Sequence, residues 1–147
     1  MNWSPHITVA AVLEREQHFL LVEERINRQL VLNQPAGHWE QGESLLDASI
    51  RETLEETAWH YQPSHLVGVY QWLHPENNET YLRFCFCGEL LEHDPGRSLD
   101  KEIEQAVWLD YEQLTARQQQ HRSPLVLKCI DDYLRGQRFD LSVFQNN

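Results

Sequence analysis

The sequence predicts an α/β fold in which a mixed β-sheet is covered by helices on both faces. Runs of β-forming residues and segments with helix start signals interleave along the chain, without the regular strand–helix–strand repeat of a fully parallel sheet. The chain has 147 residues, of which 41% are apolar, so it is long enough to bury its own core. No internal repeat, low-complexity tract or linker divides it, and we expect residues 1–147 to form one domain.

Six strands are predicted from apolar, β-branched runs that end at turn residues. The first two flank a polar turn at residues 14–17, so we interpret them as a hairpin. The third stops at Pro35, and the fourth and fifth are joined by the polar loop at residues 74–79. The predicted strands cover residues 6–13, 18–24, 30–34, 65–73, 81–91 and 104–109.

Three helices are predicted, at residues 44–59, 111–119 and 123–135. Ser44 is a good N-cap for the first, and Asp47 three residues later resembles a capping box with a shorter acid. Asp110 caps the second helix. Ser123 and Pro124 suit the N-cap and N1 positions of the third. The sequence does not indicate a structure for residues 137–147.

The first predicted helix carries a cluster of carboxylates. Glu52, Glu55 and Glu56 are spaced i, i+3 and i+4, so they share one face of the helix. Like charges this close repel each other, and a cation on that face would relieve the repulsion. Carboxylate oxygens without nearby cysteine ligands favour Mg²⁺ or Mn²⁺ over zinc.

The spacing of this segment resembles the Nudix box. That motif is a glycine, five residues, a glutamate, seven residues, and then Arg-Glu, an apolar residue, any residue, Glu-Glu, any residue, Gly and an apolar residue. Two positions depart from it, because Ala58 replaces the usual glycine and Thr53 is less apolar than is usual. The matching residues are Gly37, Glu43, Arg51, Glu52, Glu55 and Glu56.

The resemblance implies a Nudix-type α/β/α sandwich and a divalent metal, Mg²⁺ with Mn²⁺ as a substitute. Glu52 and Glu56 are the first-choice metal ligands, with Glu55 beside them, and the family also uses the carbonyl oxygen of the box glycine, here Gly37. Glu52 and Glu55 are candidate catalytic residues. Arg51 is expected to orient the carboxylates by pairing with Glu55 or Glu43.

Water activation needs a base, and relatives often supply a glutamate from a loop several residues before a late-strand tryptophan. Glu102, six residues before Trp108, is the candidate for a base or a further ligand, and Glu104 is the reserve. Exposed loop acids usually have no specific role, so that alternative stays open.

Four residues outside the box are candidates for substrate binding. Arg83 interrupts an apolar strand, so it should face either a carboxylate or a substrate phosphate. Trp72 forms an aromatic stripe with Tyr70, which is either a stacking surface or part of the core. Gln34 and Arg28 lie where the box loop opens and could reach a ligand.

Charge and composition exclude several classes of partner. The net charge of −11 leaves no basic stripe for a nucleic-acid polymer, so a small nucleotide or other diphosphate is the expected ligand. No apolar run is long enough for a membrane span, and no signal-peptide pattern opens the chain. Three cysteines without a CxxC pair predict reduced thiols and a cytoplasmic location. A monomer and a homodimer are both compatible with the sequence.

Short segments along most of the chain are also similar to one Nudix subgroup, the NudJ-type phosphatases. This resemblance implies hydrolysis of nucleoside di- and triphosphates, and of thiamine-related pyrimidine diphosphates, with release of orthophosphate. The alternatives are another Nudix pyrophosphohydrolase activity, on nucleoside triphosphates, ADP-ribose or dinucleoside polyphosphates, and a non-enzymatic nucleotide-sensing module. The similar segments are residues 6–10, 33–38, 71–72, 82–84, 122–126 and 136–138.

Overall fold

The computed structural model describes residues 2–146. Within them the chain forms nine strands, three α-helices and two short 3₁₀ helices, at residues 118–120 and 141–143. The strands are β1 (His6–Val12), β2 (Glu14–Arg15), β3 (His18–Ile26), β4 (Gln29–Asn33), β5 (Ala36–His38), β6 (Trp59–Leu73), β7 (Thr80–His93), β8 (Ile103–Asp110) and β9 (Phe139–Asp140). The helices are α1 (Leu45–Thr57), α2 (Tyr111–Ala116) and α3 (Leu125–Leu134).

The strands form two sheets. The larger is mixed, with strand order β5-β1-β7-β6-β9, and only its β1–β7 pair is parallel. The smaller is antiparallel, with β3 between β4 and β8 and with the short β2 also pairing β3. The α/β fold with a mixed sheet is confirmed.

The hairpin predicted between the first two strands is wrong. β1 pairs with β5 and β7 in the larger sheet, whereas β3 belongs to the smaller one. Only Glu14 and Arg15 turn back onto β3, opposite Phe19 and His18. The residues of β1 from Val9 to Val12 are fully buried, which is typical of a central strand with a neighbour on each side.

The helices cover opposite sides of the larger sheet. α1 packs its Ala48 against Val9, Leu66 and Phe86 of that sheet. On the other face, α3 and the smaller sheet enclose the largest apolar cluster, which contains Cys85 and Cys129. The three cysteines, Cys85, Cys87 and Cys129, are free and buried. None of the helices within residues 2–146 has both the length and the apolar character needed to cross a bilayer.

Several element boundaries differ from the predictions. α1 ends at Thr57, because Ala58 adopts a left-handed conformation (φ 63°) and β6 starts at Trp59, six residues before the predicted strand. α2 ends at Ala116, and a 3₁₀ turn follows it. The tail, for which the sequence indicated no structure, adds β9 to the edge of the larger sheet.

The predicted caps are largely present. The Ser44 hydroxyl accepts a hydrogen bond from the Asp47 backbone N–H at 3.0 Å, although no return bond from the Asp47 side chain is found within residues 2–146. Asp110 caps α2 with a full capping box, in which Gln113 returns the bond. α3 starts at Leu125 with Pro124 at the N-cap, one position later than predicted, and the Ser123 hydroxyl accepts a hydrogen bond from the Leu125 N–H at 3.2 Å.

Candidate active site

Helix α1 and strand β5 bring the box residues together. The Glu52 carboxylate lies directly over Gly37, and a Cβ atom at Gly37 would overlap that carboxylate. A glycine is therefore required here for the close approach of backbone and side chain. The contact places the Gly37 backbone beside the acidic face of α1.

Arg51 binds three of the box carboxylates. Its guanidinium donates hydrogen bonds to Glu43 at 2.8 Å, to Glu52 at 2.8 Å and to Glu55 at 2.9 Å. It also donates to the His38 carbonyl oxygen at 3.0 Å, which ties α1 to the end of β5. This position suits the predicted role of orienting carboxylates, and it also holds the pKa of Glu43 below its usual value through the hydrogen bond from Arg51.

Among residues 2–146, one group of three carboxylates brings its oxygens close enough together to hold a metal ion. Glu52, Glu55 and Asp100 each place one oxygen within 4.8 Å of the others. The Asp100 N–H donates to the Glu55 carbonyl oxygen at 3.0 Å, which fastens the loop before β8 to α1. Such a set of hard oxygen donors fits Mg²⁺ or Mn²⁺. Asp100 was not selected from the sequence, because a loop acid carries no signal of its spatial neighbours.

Glu56 lies deeper than the other box acids. Its side chain is 8% exposed, and its Oε1 accepts a hydrogen bond from the Ala36 N–H at 2.9 Å. It lines the same cavity as Glu52 and Asp100. Its role as a metal ligand stays a prediction, with one oxygen engaged by the β5 backbone.

Burial and mutual repulsion disfavour the ionised forms of Glu52, Glu56 and Asp100 and so raise the pKa values of these carboxyl groups. Burial raises the pKa of Glu52 to about 7, against the opposing effect of Arg51. The pKa of Glu56 is raised well above its ordinary value by burial, with the charges of Glu24 and Glu52 adding to the effect. Burial and the nearby Glu55 and Glu102 also raise the pKa of Asp100. A bound cation would favour the ionised forms of these groups.

Glu52, Glu56 and Asp100 line a cavity of about 820 Å³ between the two sheets, whereas Glu55 is not among the described residues of its lining. The loop acid Glu102 also lines it and is solvent-exposed, whereas Glu104 forms an ion pair with Arg25 at 2.6 Å. Glu102 therefore has free access to the cavity, and the reserve candidate is engaged elsewhere.

Arg83 is the buried cation of this cavity. It is 7% exposed, and its Nη1 donates to the Gln34 side-chain oxygen at 2.8 Å. Its Nε has no hydrogen-bond partner, and within residues 2–146 no carboxylate lies within 4.0 Å of the guanidinium. Of the two roles left open by the sequence, a structural ion pair is therefore not found among residues 2–146, and contact with a substrate phosphate stays a prediction.

Gln34 does not line the cavity within the described part of the chain, contrary to the expectation that it could reach a ligand. It is 1% exposed, and its amide donates to the Ala11 carbonyl oxygen at 3.2 Å. This contact fixes the orientation of the oxygen that accepts from Arg83. Gln34 is thus placed to position Arg83, because its side chain is enclosed by β1 and β7.

The aromatic stripe on β6 divides between core and cavity. Tyr70 is buried and donates a hydrogen bond to Asp132 at 2.9 Å, so it belongs to the core. Trp72 is half-buried and lines the cavity. Arg28 lies in the tight turn between β3 and β4 with φ 67°, and it is not among the described residues that line the cavity.

Two further residues of the cavity wall were missed by sequence reasoning. Thr8 is 7% exposed and lies on β1 directly opposite Arg83 on β7. Glu24 is 6% exposed and binds the side chains of Asn33 and Arg122, at 3.2 and 2.6 Å. No local pattern distinguishes them from other polar residues, and only the tertiary structure shows that they face this cavity.

The chain is similar to several known proteins. The family model of the NUDIX domain matches residues 4–129. Phosphatase NudJ of Escherichia coli (strain K12) is 40% identical over 141 residues, which cover 96% of this chain and 91% of that protein. Phosphatase NudJ of Shigella sonnei (strain Ss046) is similar to the same extent, at 40% identity over 141 residues.

Solved structures show the same fold. A NUDIX hydrolase from Nitrosomonas europaea has a TM-score of 0.96 and 46% identity, with 98% of each chain covered. The NUDIX domain of Shewanella oneidensis NrtR, in complex with ADP ribose, has a TM-score of 0.70 at 18% identity and covers 90% of this chain and 88% of that one. The chain therefore belongs to the Nudix family, as a hydrolase that acts on phosphoanhydrides.

Proposed function

We propose that this protein hydrolyses nucleoside di- and triphosphates with release of orthophosphate, in a reaction that depends on Mg²⁺, with Mn²⁺ as a substitute. Thiamine-related pyrimidine diphosphates are proposed as further substrates. The observation that carries the proposal is a single cavity lined by Glu52 and Asp100, two of the three clustered carboxylates, and, apart from them, by the cation Arg83, whose Nε has no hydrogen-bond partner among the described residues. A diphosphate with a divalent cation complements both parts of this cavity.

Different residues of the chain would bind the metal, bind the substrate phosphate and orient the carboxylates. Glu52, Glu55, Asp100 and the Gly37 carbonyl oxygen would hold the metal, with Glu56 beside them. When bound, a divalent cation neutralises phosphate oxygens and lowers the pKa of a coordinated water. Arg83 would bind a phosphate oxygen with its guanidinium, and Arg51 would keep the carboxylates in place.

Glu102 is proposed as the base that takes the proton from the attacking water. It lines the cavity, is solvent-exposed, and its carbonyl oxygen accepts from the Arg25 N–H at 3.0 Å, which fixes the backbone of the loop. An exposed carboxylate can pass the proton on to bulk solvent after each turnover. Its proximity to Asp100 keeps it beside the candidate metal cluster.

The proposed substrates and product follow from the likeness to the NudJ phosphatases, since the box itself serves many cleavage sites. The negative charge of −11 supports a small diphosphate as partner, acting through a cation, and argues against a nucleic-acid polymer. The free, buried thiols support a reducing compartment such as the cytoplasm. Both a monomer and a homodimer remain compatible with these proposals.

Hydrolysis in water enriched in oxygen-18 tests which phosphorus is attacked. With a nucleoside triphosphate and Mg²⁺, we expect the label in orthophosphate and an unlabelled nucleoside diphosphate, which is then converted to the monophosphate. Labelled nucleoside monophosphate with intact pyrophosphate would instead place this chain among the pyrophosphohydrolases. Absence of turnover across a panel of nucleotides, ADP-ribose and thiamine precursors would favour a sensing module.

A further inference from the structure

The strand register orders the cavity wall into two rows of side chains. The first row crosses the sheet from His38 on β5 through Thr8 on β1 to Arg83 on β7. The second row, two residues along the strands, contains His6 on β1, Tyr81 on β7 and Trp72 on β6. Residues two apart on a strand share a face and are about 7 Å apart. The first row starts beside Gly37 and is polar, whereas the second is aromatic.

The aromatic row continues into the loop after β6. The rings of Trp72 and His74 are 4.8 Å apart, and those of Trp72 and Tyr81 are 5.9 Å apart, with tilted planes. All three side chains are half-buried, so each keeps part of its surface open, and all three line the catalytic cavity. Trp72, His74 and Tyr81 are named here the aromatic wall.

The aromatic wall is held rigidly from behind. His6 stacks on Tyr81 with ring centroids 4.5 Å apart and planes within 12°. The two nitrogens of His6 are in turn hydrogen-bonded to His38 at 3.1 Å and to Glu79 at 2.9 Å. Because His6 packs against one face of Tyr81, the Tyr81 side chain is held in its orientation. A preformed surface of this kind loses little conformational entropy when a ligand binds.

We propose that the aromatic wall binds a planar ring of the substrate and so selects diphosphates of heteroaromatic groups over diphosphates of sugars or aliphatic alcohols. The inference rests on the proposed function, since it takes the diphosphate to lie along the row from His38 to Arg83. A ring joined to that diphosphate reaches the aromatic row. Aromatic side chains stack on the face of any heteroaromatic ring and do not need hydrogen bonds to its edge. Tyr81 and His74 are thereby assigned as specificity-determining residues, together with Trp72.

Two ligands that differ only by the ring-bearing group test this proposal without turnover. Adenosine 5′-(α,β-methylene)diphosphate carries a nucleoside on a non-cleavable diphosphate, and methylenediphosphonate is the same diphosphate unit alone. Calorimetric titration of each, at one fixed Mg²⁺ concentration, gives the affinity that the nucleoside adds. Trp72→Leu and Tyr81→Leu should each weaken binding of the nucleoside ligand about tenfold and leave methylenediphosphonate unchanged.

Three further variants make the result specific. Trp72→Phe keeps a stacking face and should retain most of the affinity, whereas Arg83→Gln should weaken both ligands. Tyr111→Leu removes a 40% exposed ring outside the cavity and should change neither. Melting temperatures check that each variant is folded.

The outcomes separate the two proposals. Equal losses for both ligands in Trp72→Leu and Tyr81→Leu, or no loss for either, would overturn the aromatic wall as a ring subsite while leaving diphosphate binding intact. If the wild-type protein binds neither ligand and turns over no nucleotide, the proposed function fails and this inference fails with it.

Discussion

Glu56 is a buried carboxylate with no cation within 4.0 Å among residues 2–146, so its charge is tolerated only if something else compensates it. Glu56→Gln keeps the hydrogen bond from Ala36 and removes the charge. We expect kcat to fall about 100-fold or more, with an unchanged or higher melting temperature.

Glu104→Gln is the matched control for this substitution. It removes a carboxylate that pairs with Arg25 on the surface, and it should leave kcat near the wild-type value. Mg²⁺-dependent activity close to normal in Glu56→Gln would mean that Glu56 is not part of the metal site.

Arg83 lines the cavity, its Nη1 is held by Gln34, and its buried Nε has no hydrogen-bond partner among residues 2–146. Arg83→Lys keeps a positive charge but loses the planar guanidinium, which can donate two parallel hydrogen bonds to a phosphate. If the group binds a substrate phosphate, KM should rise about tenfold with little change in melting temperature. A lower melting temperature with an unchanged KM would show that Arg83 is structural instead. Steady-state kinetics and thermal melts of the same preparation distinguish these cases.

At the scale of elements, the loop before β8 supplies two acids with different surroundings. Asp100 joins Glu52 and Glu55 in the oxygen cluster, whereas Glu102 is solvent-exposed on the cavity wall. Asp100→Asn should weaken Mn²⁺ binding at least about tenfold, measured by calorimetry on the resting protein. Glu102→Gln should lower kcat with Mn²⁺ affinity unchanged. If Glu102→Gln weakened Mn²⁺ binding and Asp100→Asn lowered only kcat, Glu102 would be the metal ligand and Asp100 the base.

The end of α1 is set by Ala58, which is 3% exposed and has φ 63°. A left-handed conformation costs a non-glycine residue about 1–2 kcal/mol. Ala58→Gly removes this strain but also loses a buried methyl group, worth about 0.8 kcal/mol, and stiffness of the unfolded chain, worth about 0.4–1 kcal/mol. Its free energy of unfolding should therefore stay within about 1 kcal/mol of the wild type.

Ala58→Val provides the contrast. A buried β-branched residue in this conformation should lower the free energy of unfolding by about 2–3 kcal/mol, measured by urea denaturation. Equal stability of the glycine and valine variants would show that the backbone at this position relaxes, and that the left-handed cap is not a constraint.

At the scale of the whole molecule, we expect the fold not to depend on the metal. Three apolar clusters hold the sheets and helices together, and none of them includes a candidate ligand. EDTA should therefore abolish activity while the far-ultraviolet circular dichroism spectrum stays native. Mg²⁺ at about a hundred times its Kd should add about 2.7 kcal/mol of stability, and so raise the melting temperature by about 5–10 °C. Unfolding by EDTA alone would contradict this view.

Local features could be predicted from the sequence, whereas the pairing of distant strands could not. α1 and its carboxylates could be predicted because helical spacing is local, and the N-cap Ser44 precedes the acids in the same segment. The pairing of β1 with β7 could not, because its partners lie more than 70 residues apart. The hairpin error has the same cause, since a turn between two strands indicates that they reverse direction and not that they pair with each other.

The sequence by itself determined the family and the acidic face of α1, since both depend on residues within one short segment of the chain. Only the tertiary structure decided that Asp100 joins Glu52 and Glu55, that Gln34 supports Arg83, and that Tyr81 and Trp72 stand side by side. The physical reason is that these residues are brought together by the pairing of strands that are distant in sequence, which places both the strand residues and the loops between strands. A residue on a strand is brought to a site by hydrogen bonding to distant strands, and that pairing is set by burial of the whole sheet, not by any local pattern.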